Sequence, residues 1–445
     1  MKKEKIKFEQ ISFADIDGLP EMDCTFTASR VYADGNFYDI VACSGKTLRR
    51  WHVPAFVIPG AVDSLQKEIP SNCLPLGLEE HGKLCGNFLM QPHVAQLSPG
   101  NKLIISQGEV YNGLCLQVLD TTNHQLALLP ADCRDNLMCY SATGDFSRDK
   151  QYFLYARWPL ADAAANLAGA GNKTSCEVRR LNLETMNDEI ITLLPCNGRI
   201  HQITCSPDGR YAVFCSFTWD MNLPYPSGSP AEDPEGYRLS HEAGMKQENL
   251  VTVDLQTGSY RQTSVPAPVP AHSEFDPVDE KIFYLSAHNF HPVKGGVMLE
   301  GPATIFKLRL EQGHSSIISS YTDDHFFRIS QHVPFRYGGR VLIAVTNLPN
   351  KLDLIDGETM TLWRRIKLFE APEIDFSATG NQLCPVYPES CFSLCPSEDG
   401  RYIILESSEC FKIYDLQEDR LLKAVIPLQL PAESRVIGHM RRHGE

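Results

Sequence analysis

Short runs of β-branched and aromatic residues alternate along this chain with turns rich in Ser, Pro, Asp and Gly. One phrase recurs: a brief apolar stretch, a turn, a basic or polar residue, and then a strand-like run closing on a small residue. Its clearest copy is Cys205-Ser-Pro-Asp-Gly-Arg-Tyr-Ala-Val-Phe-Cys-Ser216. Others begin at Leu97, Phe275 and Cys395, and weaker ones at Phe146, Tyr337 and Tyr32. Pro fixes φ early in such a turn, and Asp and Gly are expected to take the left-handed conformation that returns the chain. The residues that follow, such as Tyr-Ala-Val-Phe, favour strands. A third strand ends in an Asp-containing turn, as in Leu250-Val-Thr-Val-Asp-Leu-Gln-Thr-Gly258, and a fourth follows, as in Gln125-Leu-Ala-Leu-Leu129.

Four antiparallel strands recurring every ~50–70 residues are the pattern of a β-propeller blade. The expected fold is therefore all-β: a single seven-bladed β-propeller domain over 1–445, with blades at 24–70, 90–130, 138–195, 198–265, 270–321, 326–370 and 388–428. Two β-sandwiches would leave the repeated hairpin unexplained. Helix is expected only in the Ala-rich stretch from Leu160 to Ala168. Ring closure is open between an N-terminal strand from Ile6 and packing of blade seven on blade one. The Ser-Pro-Asp-Gly-Arg blades resemble the propeller repeats of TolB-like and WD-repeat-like families over nearly the whole chain. That resemblance implies the fold and leaves function to the site.

Composition narrows the function classes. The 445 residues hold 41 Lys plus Arg against 55 Asp plus Glu, a formal charge of -14. That balance argues against a nucleic-acid partner. No apolar run approaches the ~18–20 residues of a membrane span, so no membrane partner is expected. The basic N-terminus lacks the apolar stretch of a secretory signal. The 15 cysteines are scattered without a CxxC pair and read as reduced thiols, which suggests a cytoplasmic setting.

Four histidines precede hairpins in a similar register. His93, His201 and His272 each lie nine residues before the basic residue opening the next strand, and His332 lies eight before Arg340. The start of each innermost strand lines a propeller's channel, so these rings are expected near one level of the axis. Neutral imidazoles there would suit a divalent metal such as Mn, Fe or Zn. Four histidines without a carboxylate resemble the iron site of carotenoid-cleaving propellers, whose histidine spacing this chain lacks. Gln331-His332 is similar to the three-His-plus-Gln manganese site of oligogalacturonate lyases, without a residue-by-residue match. The alternative role for each histidine is a backbone hydrogen bond, and the one-residue offset at His332 would need a bulge to restore its direction.

The connections between second and third strands are long in blades three, four and five and fall at the same end as the histidines. Long ordered loops usually carry function. They hold Arg157, suited to carboxylate or phosphate, and Trp158, Trp219 and Tyr225, suited to stacking on a ring or sugar. Glu109, Tyr111, Asp220, His288 and His291 are candidate acids and bases. No nucleotide fingerprint, GxSxG elbow or HExxH helix occurs. The expected function is a metal-dependent lyase, isomerase or cyclase acting on a small polar or anionic metabolite or carbohydrate at the mouth of the channel. The rivals are a non-catalytic propeller that displays its loops to a protein partner and a four-histidine iron oxygenase.

Overall fold

The computed structural model describes residues 6–31, 37–54, 56–58, 88–90, 92–98, 100, 102–108, 116–129, 138–140, 144–159, 175–195, 200–216, 249–266, 269–288, 290–292, 298–300, 303–323, 329–372, 387–407, 410–427, 435–436 and 441–442. Seven principal antiparallel sheets, mostly of four strands, follow one another along the sequence, and the fold is a seven-bladed β-propeller. The described residues contain no α-helix, only a 3-10 turn at Phe13–Asp15. The Ala-rich stretch from Leu160 lies outside the described residues.

The chain divides into two compact units. The first comprises Met1–Gly144, Pro159–Ala161 and Cys391–Glu445. Its blade one is built from Cys24–Val31, Phe37–Gly45 and Thr47–Pro54, and its outermost strand is Lys7–Ser12. The N-terminal strand thus completes the first blade. The short strands Arg435–Val436 and Arg441–Arg442 pair with the inner edge of the same blade. Blade two contains Pro92–Leu97, Leu103–Gly108, Leu116–Asp120 and Gln125–Leu129, and blade seven Ser393–Pro396, Tyr402–Glu406, Cys410–Asp415 and Arg420–Leu421. Blade seven packs directly on blade one. Phe26, Cys24 and Cys43 share a buried cluster with Cys395, Ile404, Phe411 and Ile413, and the Phe26 and Phe411 rings meet edge-on at 5.4 Å. On the other side of blade one, Trp51 is fully buried and donates from its indole nitrogen to Nδ1 of His124 at 2.9 Å.

The second unit comprises Asp145–Trp158 and Asp162–Ser390. Blade three includes Tyr152–Pro159, Ser175–Asn182 and Asp188–Pro195. Blade four contains Ile200–Cys205, Tyr211–Ser216, Asn249–Asp254 and Tyr260–Ser264; blade five, Val269–Phe275, Ile282–His288, Thr304–Glu311 and His314–Thr322. Blade six contains Ile329–Tyr337, Arg340–Asn347, Lys351–Asp356 and Thr361–Lys367. Period-two alternation assigns each face of a second strand to a different neighbour. Phe283, Leu285 and Ala287 pack with Tyr211, Val213 and Cys215 of blade four. Ile282 and Tyr284 pack with Ile343, Val345 and Ile355 of blade six. Each large apolar side chain buried in this way contributes roughly 1.5–3 kcal/mol.

The repeated turn works through its serine. In blade four, the Ser206 backbone N–H donates to the Tyr211 carbonyl at 2.8 Å, and its hydroxyl accepts from the Tyr211 amide at 2.9 Å while donating to Asp208 at 2.5 Å. Gly209 takes the positive φ of 70°. Asp208 is not among the positive-φ residues; its carboxylate accepts from the Arg210 amide at 3.0 Å. Ser397, Asp399 and Gly400 repeat the arrangement in blade seven, and Ser147, Asp149 and Lys150 in blade three, where Lys150 adopts the glycine's conformation at φ 60°.

The basic residue after the turn has a partner in the third strand's closing aspartate. Arg210 bonds Asp254 at 3.2 Å, Arg401 bonds Asp415 at 2.8 Å, and Arg340 approaches Asp356 at 3.6 Å. Those aspartates also accept from the amides two and three residues ahead. Desolvation pushes their carboxyls up, but the amide bonds and the arginines outweigh it and hold all three below the ordinary carboxylate range.

Two outcomes follow. Carboxylates depressed in the folded state contribute stability that is present above their unfolded values and lost as pH falls through the folded ones. Urea unfolding of wild type and Asp415→Asn from about pH 6 to about pH 3 is expected to show the shallower acid loss in the variant. Gly258, at φ 71°, would place a Cβ 2.6 Å from the Ile191 carbonyl oxygen. Gly258→Ala is therefore expected to destabilise by about 2 kcal/mol or more in the same assay.

Candidate functional site

The inner strands of blades two, four, five and six each break register where they carry their histidine. The breaks fall between Pro92 and Val94, Ile200 and Ile203, Pro270 and Ser273, and Ile329 and His332. In blades four, five and six, two residues face one across the hairpin: His201 and Gln202 opposite Cys215, Ala271 and His272 opposite Ser286, Ser330 and Gln331 opposite Thr346. The hydroxyl opposite accepts from the second residue's amide in two of them, Ser286 from His272 at 3.3 Å and Thr346 from Gln331 at 2.9 Å.

Aligned on these bulges, the histidines fall out of step. His201 occupies the first bulge position, His272 the second, and His332 the residue after the bulge. The equal spacing to the basic residue hides a difference in turn length. Ser206 pairs with Tyr211, whereas Asp276 pairs with Ile282, one residue further on. Gln202, His272 and Gln331 are the true equivalents.

Their surroundings differ accordingly. His332 is fully buried, with Nε2 3.3 Å from the backbone carbonyl oxygen of Tyr284 in blade five. Its ring lies in the packing between two blades, where the sequence pattern had suggested the channel lining. His272 is 8% exposed, and its Nδ1 lies 2.7 Å from Oε1 of Gln202. The amide nitrogen of Gln202 points the other way, toward acceptors: the Ser273 carbonyl at 2.9 Å and Oε1 of Glu274 at 3.1 Å. An amide pinned in that sense presents only oxygen to the imidazole. This arrangement is satisfied by a proton on Nδ1 of His272, donated to the Gln202 oxygen. Thr204 reinforces the seam by donating to the Ser273 carbonyl at 2.7 Å.

His93 and His201 lie on described strands, but their side chains are outside the described residues, as are those of Trp158, His288 and His291. The backbone puts His288 opposite Val269 at the start of blade five's inner strand, and His291 opposite Leu299 in a small hairpin of Phe290–Pro292 with Met298–Glu300. Glu109, Tyr111, Trp219, Asp220 and Tyr225 lie outside the described residues. Arg157 stands across from Glu177 and donates to its Oε2 at 2.7 Å, sharing that oxygen with Arg179. In the structure the guanidinium thus pairs with a carboxylate of its own blade. Cys391 and Cys395 are buried, and desolvation pushes the Cys391 thiol up to about 12.

Among the described residues, no group of three or more His, Cys, Asp or Glu side chains is arranged to hold a metal ion. A cleft of about 1510 Å³ opens on the turn-bearing end of blades four and five, lined by Arg210, Asp254, Arg261, Lys281, Glu311 and His314 among others. None of the candidate site residues lines it. Gln202 and Glu274 gave no signal as isolated residues; aligning the repeats on their hairpins would have put Gln202, His272 and Gln331 in one column.

No family model matches the sequence, and no curated protein matches it. Solved structures of similar architecture include the dihydro-heme d1 dehydrogenase NirN, at 12% identity over 96% of this chain and 80% of that one, with a TM-score of 0.46. The periplasmic gluconolactonase PpgL of Pseudomonas aeruginosa is 12% identical over 78% of this chain and 88% of its own, with a TM-score of 0.44. A mutant apocarotenoid oxygenase of Synechocystis is 11% identical over 100% and 97%, with a TM-score of 0.51. At such identities the likeness extends to the propeller fold, which enzymes of several kinds share.

The hydrogen bond between Gln202 and His272 has a direct test. Nitrogen NMR of the labelled protein is expected to show His272 protonated at Nδ1, with Gln202→Ala shifting its tautomer balance toward Nε2 and leaving the other histidines in place.

Proposed function

We propose that the protein is an enzyme whose reacting centre lies at the bulged starts of the inner strands of blades four and five. His272 is its central imidazole, and a divalent metal of the Mn, Fe or Zn kind is its cofactor. The observation that carries this reading is the hydrogen bond between Nδ1 of His272 and Oε1 of Gln202. A metal-ligating imidazole characteristically donates its other N–H to an oxygen that orients the ring, and Gln202 supplies such an oxygen at 2.7 Å. His201, one position earlier on the neighbouring inner strand, is the second ligand proposed. His332 is left out, because its Nε2 faces a backbone carbonyl inside the packing.

When bound, such a metal polarises a substrate oxygen or lowers the pKa of bound water. The chain's own residues do the rest. Gln202 holds the proton on Nδ1, and the Ser273 carbonyl and Glu274 hold Gln202. This chemistry suits lyase, isomerase or cyclase turnover of a small polar or anionic metabolite or carbohydrate.

Metal analysis of protein purified without an affinity tag tests the reading. Wild type is expected to carry near-stoichiometric metal and His272→Ala to lose it. Gln202→Ala is expected to bind it roughly 10–100-fold more weakly. Substoichiometric metal, unchanged by His272→Ala in a folded variant, would remove the metal enzyme and favour a propeller that works by displaying its loops.

A further inference from the structure

Cys24 and Cys43 stand far from these histidines in sequence, on the first two strands of blade one. Both are fully buried, and their sulfurs lie 3.3 Å apart. The strand register pairs Cys24 with Gly45 and Phe26 with Cys43, so the two cysteines are diagonal neighbours on one face. Gly45, opposite Cys24, has no side chain to separate them and turns at φ 60° as the last residue of its strand. The pair sits at the end of these two strands away from their own connection, beside the turn at Gly45 that leads into Thr47–Pro54.

We propose that Cys24 and Cys43 are a redox site that closes to a reversible disulfide. Bond formation requires the sulfurs to approach by roughly 1.3 Å, to the ~2.05 Å of an S–S bond. The diagonal register is not the relaxed placement for a disulfide, and strained disulfides are the readily reduced ones. With a peroxide as oxidant the electrons balance. One thiol takes an oxygen from the peroxide to become a sulfenic acid, releasing water. The second sulfur then displaces that hydroxyl, which leaves as a second water, and the S–S bond forms. Two electrons pass from the two thiols to the peroxide.

Burial and location set the rate and the effect. The hydrogen bond to Cys43, together with desolvation, pushes the Cys24 thiol far up, so little thiolate is present in the closed native state. Oxidation is therefore slow and follows opening of the turn at Gly45. Both cysteines belong to the cluster that joins blade one to Phe411 and Cys395 of blade seven. Closing the bridge ties two strands together at that seam.

Folded wild-type protein is treated with hydrogen peroxide, unfolded, alkylated and digested. Cys24 and Cys43 are expected to disappear together from the alkylated pool. A linked peptide pair about 2 Da lighter than the two free peptides is expected in their place, and dithiothreitol should restore both. Cys43→Ala and Cys24→Ala controls each lose the link. Both cysteines still alkylated after treatment, or either one linked to a different cysteine, overturns the proposal; the wild-type reading needs no variant to fold.

Discussion

Among the described residues, the large buried clusters are each shared between two blades. A four-stranded sheet offers two faces, and in the middle strands both are apolar, so each must be covered by another blade. Residues 282–287 of blade five are buried without interruption, odd positions turned toward blade four and even positions toward blade six. The hairpins follow from that demand. A strand buried on both faces tolerates no slip in register, and the Ser206, Ser397 and Ser147 hydroxyls pin their turns at the first rung.

Much of this was legible in the sequence, because turn chemistry is local. Ser, Asp and Gly at fixed offsets announce a hairpin wherever they stand. What the pattern misread was finer: the aspartate of the turn serves as an acceptor, and only the glycine takes the left-handed conformation. The strand from Ile6 was legible as a candidate, but its place at the outer edge of blade one was not. Lys7–Ser12 is mostly solvent-facing, without strong alternation, and its partner Thr47–Pro54 lies beyond two other strands. Pairing across such a separation leaves no local mark.

The candidate site was less legible. Counting from a basic residue crosses a turn, and turns vary in length, so residues equally spaced in sequence lay at different places in the bulge. Arg157 pointed to an anion, but which one depended on a strand register that sequence does not supply; Glu177 lies directly across from it. Gln202 escaped because its role is relational. An amide becomes significant only when both its ends are occupied, one by acceptors and the other by an imidazole.

The longer turn of blade five carries one more consequence. It sits at the far end of the strand from the bulge, and the rung between Asp276 and Ile282 absorbs its extra residue before the ladder begins. A residue inserted in such a solvent-exposed bend therefore leaves every later rung, and the occupant of the bulge, where it was, since a one-residue slide would turn every buried side chain of the strand to the opposite face. Two copies of the repeat can thus differ in length at the bend and still carry equivalent residues at the other end.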